Sequence, residues 1–149
     1  MPDSFEHMPP VAVRMPNGAL ASLAGNVDAH HLVSVADLIL AQTSVRSTVE
    51  RLVQDLQPDV VGLSVMTFQR KTALDIARLI RALRPAVRIV VGGYDASLAS
   101  QAYECCPDIE FIVRGEGERT LCELLRAIED GPAEAGHHDS QARWRGSSN

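Results

Sequence analysis

Lysine is nearly missing from this chain of 149 residues: thirteen of its fourteen basic residues are arginine and Lys71 stands alone. Schiff-base and P-loop lysine chemistry therefore lose almost all their candidates. Cysteine is scarce as well. Cys105 and Cys106 adjoin and Cys122 lies sixteen positions on, which is neither a zinc nor an iron–sulfur spacing. All three are expected to be ordinary small thiols in a reducing compartment. No long apolar run exists. The stretch His31 to Leu40 is about half of the ~20 residues that span a bilayer, so no membrane segment is expected. The opening MPDSFEHMPP lacks a basic region followed by an apolar core, and the expected location is the cytoplasm. Excess positive charge is absent too: a net charge of −5 argues against nucleic acid as a partner.

What remains is a chain the size of one domain, 46% apolar and 22% charged. From residue 10 to 130 short β-branched runs alternate with segments of helical period. This rhythm implies a doubly wound α/β fold, with about five parallel strands and helices on both faces. The candidate strands are Val11 to Met15, His31 to Ile39, Asp59 to Val65, Val87 to Val91 and Ile109 to Val113. Residues 1–9 read as a flexible N-terminus. Residues 131–149, GPAEAGHHDSQARWRGSSN, lack periodicity and read as a disordered tail in which His137 and His138 form no metal site.

Three helices are expected. Val49, Leu52, Val53 and Leu56 form a stripe within Thr48 to Leu56, preceded by the capping-box pattern Ser47-x-x-Glu50. Lys71 to Arg84 places Leu74, Ala77, Ile80 and Leu83 inward and leaves Arg70, Arg78, Arg81 and Arg84 as a solvated face. Glu118 to Glu129 packs Leu121, Leu124, Leu125 and Ile128 before Gly131-Pro132 ends it.

Open parallel sheets bind ligands where their strands end, so the exit loops carry the chemistry. They are Pro16 to Leu20, Ser64 to Phe68, Gly92 to Asp95 and Arg114 to Glu118. Gly92-Gly93 permits either a tight turn or close approach of a flat ligand to bare backbone. Gly115-x-Gly117 follows the last strand, and Glu116 and Glu118 would repel a pyrophosphate, so NAD is poorly supported. The first exit loop lacks the Ser/Thr cradle of an FMN-binding flavodoxin. Asn17, Ser64 and Arg114 stand where a receiver domain would need its acids and its lysine.

Together, PDVVGLSVMTFQRKTALDIARLIRALRP, VRIVVGGYDASLA and PDIEFIVRGEGERTLCELL closely resemble the cobalamin-binding domain at the N-terminus of cobalamin-dependent radical S-adenosylmethionine enzymes of the anaerobic magnesium-protoporphyrin monomethyl ester cyclase type. The resemblance is strong from Pro58 to Leu125 and weaker from Pro10 to Leu40. It implies a flavodoxin-like, Rossmannoid domain over residues 10–130 that takes the nucleotide tail of cobalamin into a slot, with the corrin over the loops. Ser64, followed by Val65 and Met66, would bond the dimethylbenzimidazole, and Gly92 and Gly93 would let the tail pass against backbone. Gly115, Glu116, Gly117 and Glu118 would line the slot. Asn17, Gly18, Ala19 and Leu20 would sit beneath the corrin, and Asp37 is a further member. Met66, Thr67, Phe68 and Tyr94 belong to the same loops, where Met66, Phe68 and Tyr94 would meet ligand or partner or pack locally. A bulky residue at Gly93 is expected to fill the slot while leaving the fold intact.

The methyltransferase and mutase form of such domains carries Asp-x-His-x-x-Gly after its first strand, with the histidine on cobalt. Here that loop is MPNGAL, and Asp28-Ala29-His30 lacks the glycine, Val33 standing in its place. His30 and His31 are expected to lie exposed at a strand start. The resemblance thus implies a base-off cobalamin without a histidine ligand. The Cys-x-x-x-Cys-x-x-Cys loop of the radical domain is also absent from this sequence. The chain is expected to hold no iron–sulfur cluster, to be non-catalytic alone, and to serve a split or truncated system with a separate radical domain or as a carrier. A ligand-free α/β regulatory or interaction domain is the alternative.

Overall fold

The computed structural model of the protein describes residues 18–41, 43–131 and 142–144. The elements are α1 (Gly18–Asn26), a 3₁₀ turn at Leu38–Ala41, α2 (Val45–Leu56), β1 (Val60–Ser64), a second 3₁₀ turn at Thr67–Gln69, α3 (Arg70–Leu83), β2 (Arg88–Gly92), the short helices α4 (Tyr94–Leu98) and α5 (Gln101–Glu104), β3 (Phe111–Val113), α6 (Gly117–Asp130) and β4 (Ala142–Trp144). β1, β2 and β3 are parallel neighbours in that order. β4, which the sequence pattern did not anticipate within the expected tail, pairs antiparallel with the outer edge of β3.

Strand register sorts the core into two clusters. Ile89, Val91 and Ile112 join Val45, Val49 and Val53 of α2 and Ala73, Ile76, Ala77 and Ile80 of α3 on one face. Val90, Phe111 and Val113 meet Leu124 of α6 on the other. Helices thus cover both faces, as the β-branched runs require, and each aliphatic side chain so buried contributes ~1.5 to 3 kcal/mol.

Three parallel strands are described where about five were expected. Val11 to Met15 lies outside the described residues. His31 to Ile39 is no strand: residues 32–37 make no ladder, and a 3₁₀ turn begins at Leu38. Asp37 starts that turn, its Oδ1 accepting from the Ile39 N–H at 3.0 Å and its carbonyl from the Leu40 N–H at 3.2 Å. β-branched composition favours a strand only where a neighbour supplies the hydrogen bonds, and Leu32, Val33 and Val35 stand exposed.

The helices follow their stripes, with shifts at the ends. α2 begins three residues before the expected Thr48, because Val45 is buried and draws one more turn onto the core. The expected capping box therefore does not form. Ser47 lies inside the helix and donates to the Ser44 carbonyl at 3.1 Å, while Glu50 pairs with Arg46. In α3, Leu83 is exposed and Ile76 takes the expected inward place.

The arginines of α3 are not a merely solvated face. Arg81 donates to the carbonyls of Pro85, Val87 and Asp108 and to Glu110, and Arg84 donates to the Pro58 carbonyl and Gln57. Both tie the segments that lead into the strands. Arg70 enters the site region, and only Arg78 stays on the surface, paired with Asp75.

Candidate functional site

A cavity of about 850 Å³ lies between one face of the sheet and the pair α1 and α6. Its floor is Val60, Gly62 and Ser64 of β1 with Val90, Gly92 and Val113, and its walls include Leu20, Leu23 and Val27 on one side and Leu121, Leu125 and Ile128 on the other. Alternation along β1 explains the floor. Val61 and Leu63 point to the packed face against α2 and α3, so Gly62 and Ser64 must point the other way. Both are exposed, and a Cβ built on Gly62 would meet nothing within 4 Å. At the β1 floor, the leucine walls, the Ser64 hydroxyl and uncovered backbone make a surface suited to a flat, largely apolar body, while His30, His31, Asp59 and Glu129 make the rest of the lining more polar.

The exit loops of β2 and β3 border this cavity and are locked together. Gly93 has φ +94°, and a Cβ there would lie 2.7 Å from the Val65 nitrogen and 2.9 Å from its oxygen. Gly115 also has positive φ, +73°. The Ser97 hydroxyl donates to the Gly93 carbonyl at 3.0 Å and accepts from the Gly115 N–H at 2.9 Å, joining the two glycine loops through one oxygen. Gly93 is therefore demanded by the backbone itself. A bulky residue at Gly93 would thus strain the turn as well as fill the space beside it, which argues against the expectation that the fold is spared.

Behind these loops sits Asp95, 1% exposed. Arg70 grips it with two bonds of 2.7 Å, Nε to Oδ2 and Nη2 to Oδ1, and the Tyr103 hydroxyl donates to Oδ2 at 2.6 Å. The Arg70 guanidinium is the main cause that holds the Asp95 carboxyl at about 2, with Tyr103 and Thr67 adding to it against the cost of burial. Burial, then Asp95, pushes the Tyr103 phenol well above its ordinary value. The cluster ties the turn after β1 to α4 and α5, and so fixes the loops around the cavity mouth.

The B12 binding domain family matches residues 8–125. The chain belongs to that family. Its curated relatives include an uncharacterized methyltransferase of Pyrococcus horikoshii, 32% identical over 113 residues that are 75% of this chain and 24% of the relative. The anaerobic magnesium-protoporphyrin IX monomethyl ester cyclase of Cereibacter sphaeroides is 34% identical over 122 residues, 81% of this chain and 19% of its own length. The enzyme of the same name from Rubrivivax gelatinosus is 29% identical over 129 residues, 81% of this chain and 22% of its own. The chain thus spans about a fifth to a quarter of the length of these relatives. No solved structure matches it.

Within this B12 binding domain, the expected site residues divide. Ala19, Leu20, Ser64, Gly92, Gly93, Gly115, Glu116, Gly117 and Glu118 line the cavity. Glu118 also accepts from the Ser22 hydroxyl at 2.9 Å, so it holds α1 to α6. Asn17 lies outside the described residues. Gly18 opens α1 away from the lining, and Asp37 caps the 3₁₀ turn away from it. Val65 is buried beneath the loop, and Thr67 serves Asp95. Met66, Phe68 and Tyr94 are exposed beside the mouth without lining the cavity.

Sequence reasoning missed Gly62, Ser97, the pairing of Asp95 with Arg70, and Leu23 of α1. Gly62 had a signal: a glycine inside a β-branched run, two positions from Ser64 and so on the same face. No helix among the described residues is long and apolar enough to cross a membrane.

Proposed function

We propose that this chain is the cobalamin-binding module of a cobalamin-dependent radical S-adenosylmethionine system and is not catalytic alone. The observation that carries the reading is the bare face of β1, where Gly62 and Ser64 open onto an apolar cavity beside two glycine loops. Leu23, Leu121 and Leu125 would enclose the apolar base of the nucleotide tail, Ser64 would bond its nitrogen, and the backbone at Gly92, Gly93 and Gly115 would let the tail pass. Gly18, Ala19 and Leu20, with Asn17, would lie beneath the corrin, and Met66, Phe68 and Tyr94 would meet the corrin or the partner. When bound, cobalamin supplies a cobalt centre able to carry a methyl group.

Histidine-free, base-off binding fits the placement of His30. It sits beside Glu129 near the end of α6, whereas Ser64 and the glycine loops stand at the opposite end of the strands. A second polypeptide or domain would supply the iron–sulfur cluster and S-adenosylmethionine, docking over the strand ends in the cytoplasm. The relatives extend well beyond the matched segment, which supports such a partner.

Incubation with hydroxocobalamin followed by desalting tests the reading. Corrin absorption that stays with the protein is expected, and a colourless product would leave a ligand-free α/β interaction domain as the answer. Electron paramagnetic resonance of the cob(II)alamin form should show no nitrogen splitting from a histidine or from the displaced base.

A further inference from the structure

At the end of the cavity away from the glycine loops, the described residues bring two histidines and a carboxylate together. His30 Nε2 lies 3.0 and 3.2 Å from the two oxygens of Glu129, and His31 Nδ1 lies 3.7 Å from Oε1. The potential ligand atoms of the three residues all fall within 4.8 Å of one another. We propose that His30, His31 and Glu129 form a zinc-class divalent metal site that fastens the 28–31 turn to the end of α6.

Three observations carry this. First, bonds of ~2.0 to 2.2 Å to nitrogen and oxygen in a tetrahedral shell put neighbouring ligand atoms roughly 3.4 Å apart. The separations of each histidine from Glu129, 3.0 and 3.7 Å to Oε1, bracket that value, and the two histidine nitrogens lie within 4.8 Å of each other, so side-chain adjustment brings the three onto one ion. Second, the His31 ring makes no hydrogen bond among the described residues: its Nε2 is buried without a partner, and 3.7 Å to Glu129 is too long for Nδ1. A metal at Nδ1 would occupy the nitrogen that the long approach to Glu129 leaves open. Third, the two rings lie side by side at 4.1 Å, while Glu129 and His30 are 44% and 61% exposed, which leaves an entry path and a fourth position for water. Asp28 is not a competing ligand, because Arg126 holds both of its oxygens at 2.8 Å. Two neutral imidazoles with one carboxylate suit zinc better than magnesium or calcium.

The test uses the full chain carrying His137→Ala and His138→Ala, so that the tail contributes no histidines. Titration with zinc chloride by calorimetry should give one saturable site, and cobalt(II) should give the intense visible bands of tetrahedral coordination. Adding His31→Ala or Glu129→Gln should weaken zinc binding by roughly tenfold or more. Circular dichroism of the exposed Glu129→Gln variant checks that this loss is not a loss of fold. Absence of a saturable site, a cobalt spectrum of octahedral type, or equal zinc affinity in folded Glu129→Gln and its parent would each overturn the proposal. None of these readouts depends on cobalamin binding.

Discussion

The two faces of β1 are built from the same five residues and do opposite things. Val61 and Leu63 pack against the core below α2 and α3, whereas Gly62 and Ser64 face a cavity that α1 and α6 roof without filling. The contrast shows where the chain withholds side-chain volume. A parallel strand is normally covered on both faces, so a bare face inside an otherwise packed sheet marks space kept for something else.

Four substitutions or conditions, ranked by their effect on stability, would break or sharpen this contrast. On the packed face, Ile80→Ala should cost about 2 to 5 kcal/mol in urea unfolding, since Ile80 is 2% exposed and its neighbours cannot fill the void. A smaller loss would mean that this face is as loosely covered as the other. At the boundary between the faces, Gly93→Val should cost about 1 to 3 kcal/mol from backbone strain alone, with the contact to Val65 in addition. Its melting temperature should fall together with cobalamin retention, and a variant with native stability would show that the turn relaxes.

Acid comes third. Asp95 stabilises the fold in full above its ordinary value near 3.8, and this contribution is lost as pH falls through about 2. The steepest acid loss attributable to Asp95 should therefore fall between these values and flatten in Asp95→Asn, as followed by near-UV circular dichroism. The smallest effect on stability belongs to the open face. Gly62→Leu should stay within about 0.5 kcal/mol of the parent or rise above it, because its side chain enters open space. Cobalamin retention after desalting should nevertheless disappear. Retention with native affinity would separate the cavity from the ligand.

Helices α2, α3 and α6 were legible because a stripe of Val, Leu and Ile at helical spacing is a local signal, and β1, β2 and β3 because each run is apolar throughout. The segment from His31 to Ile39 misled because its β-branched residues speak only for themselves. Whether they pair depends on chain elsewhere, and Asp37 instead begins a helical turn. Arg70, Arg81 and Arg84 were misread for a related reason. Their positions on the outer face of α3 were visible, yet their partners lie 4 to 29 residues away, most of them more than 20. The glycine loops were legible as exits from strands. Gly93, however, is fixed by contact with Val65, a constraint that becomes visible only when two loops meet.

Finally, α1 buries none of its residues. Polar contacts tie it and the turn that follows to α6: the Ser22 hydroxyl to Glu118, the Cys122 thiol to the Asn26 carbonyl, and Arg126 to Asp28. Exposed contacts of this kind contribute little each, about 0 to 1 kcal/mol. The free energy of the molecule is therefore unevenly distributed, and α1 can separate from α6 at far less cost than any strand can leave the sheet. Amide exchange in α1 should run well ahead of exchange in β1 and β2. A bulky guest could then reach the interior by a brief local opening while the strands and their two glycine loops hold their shape.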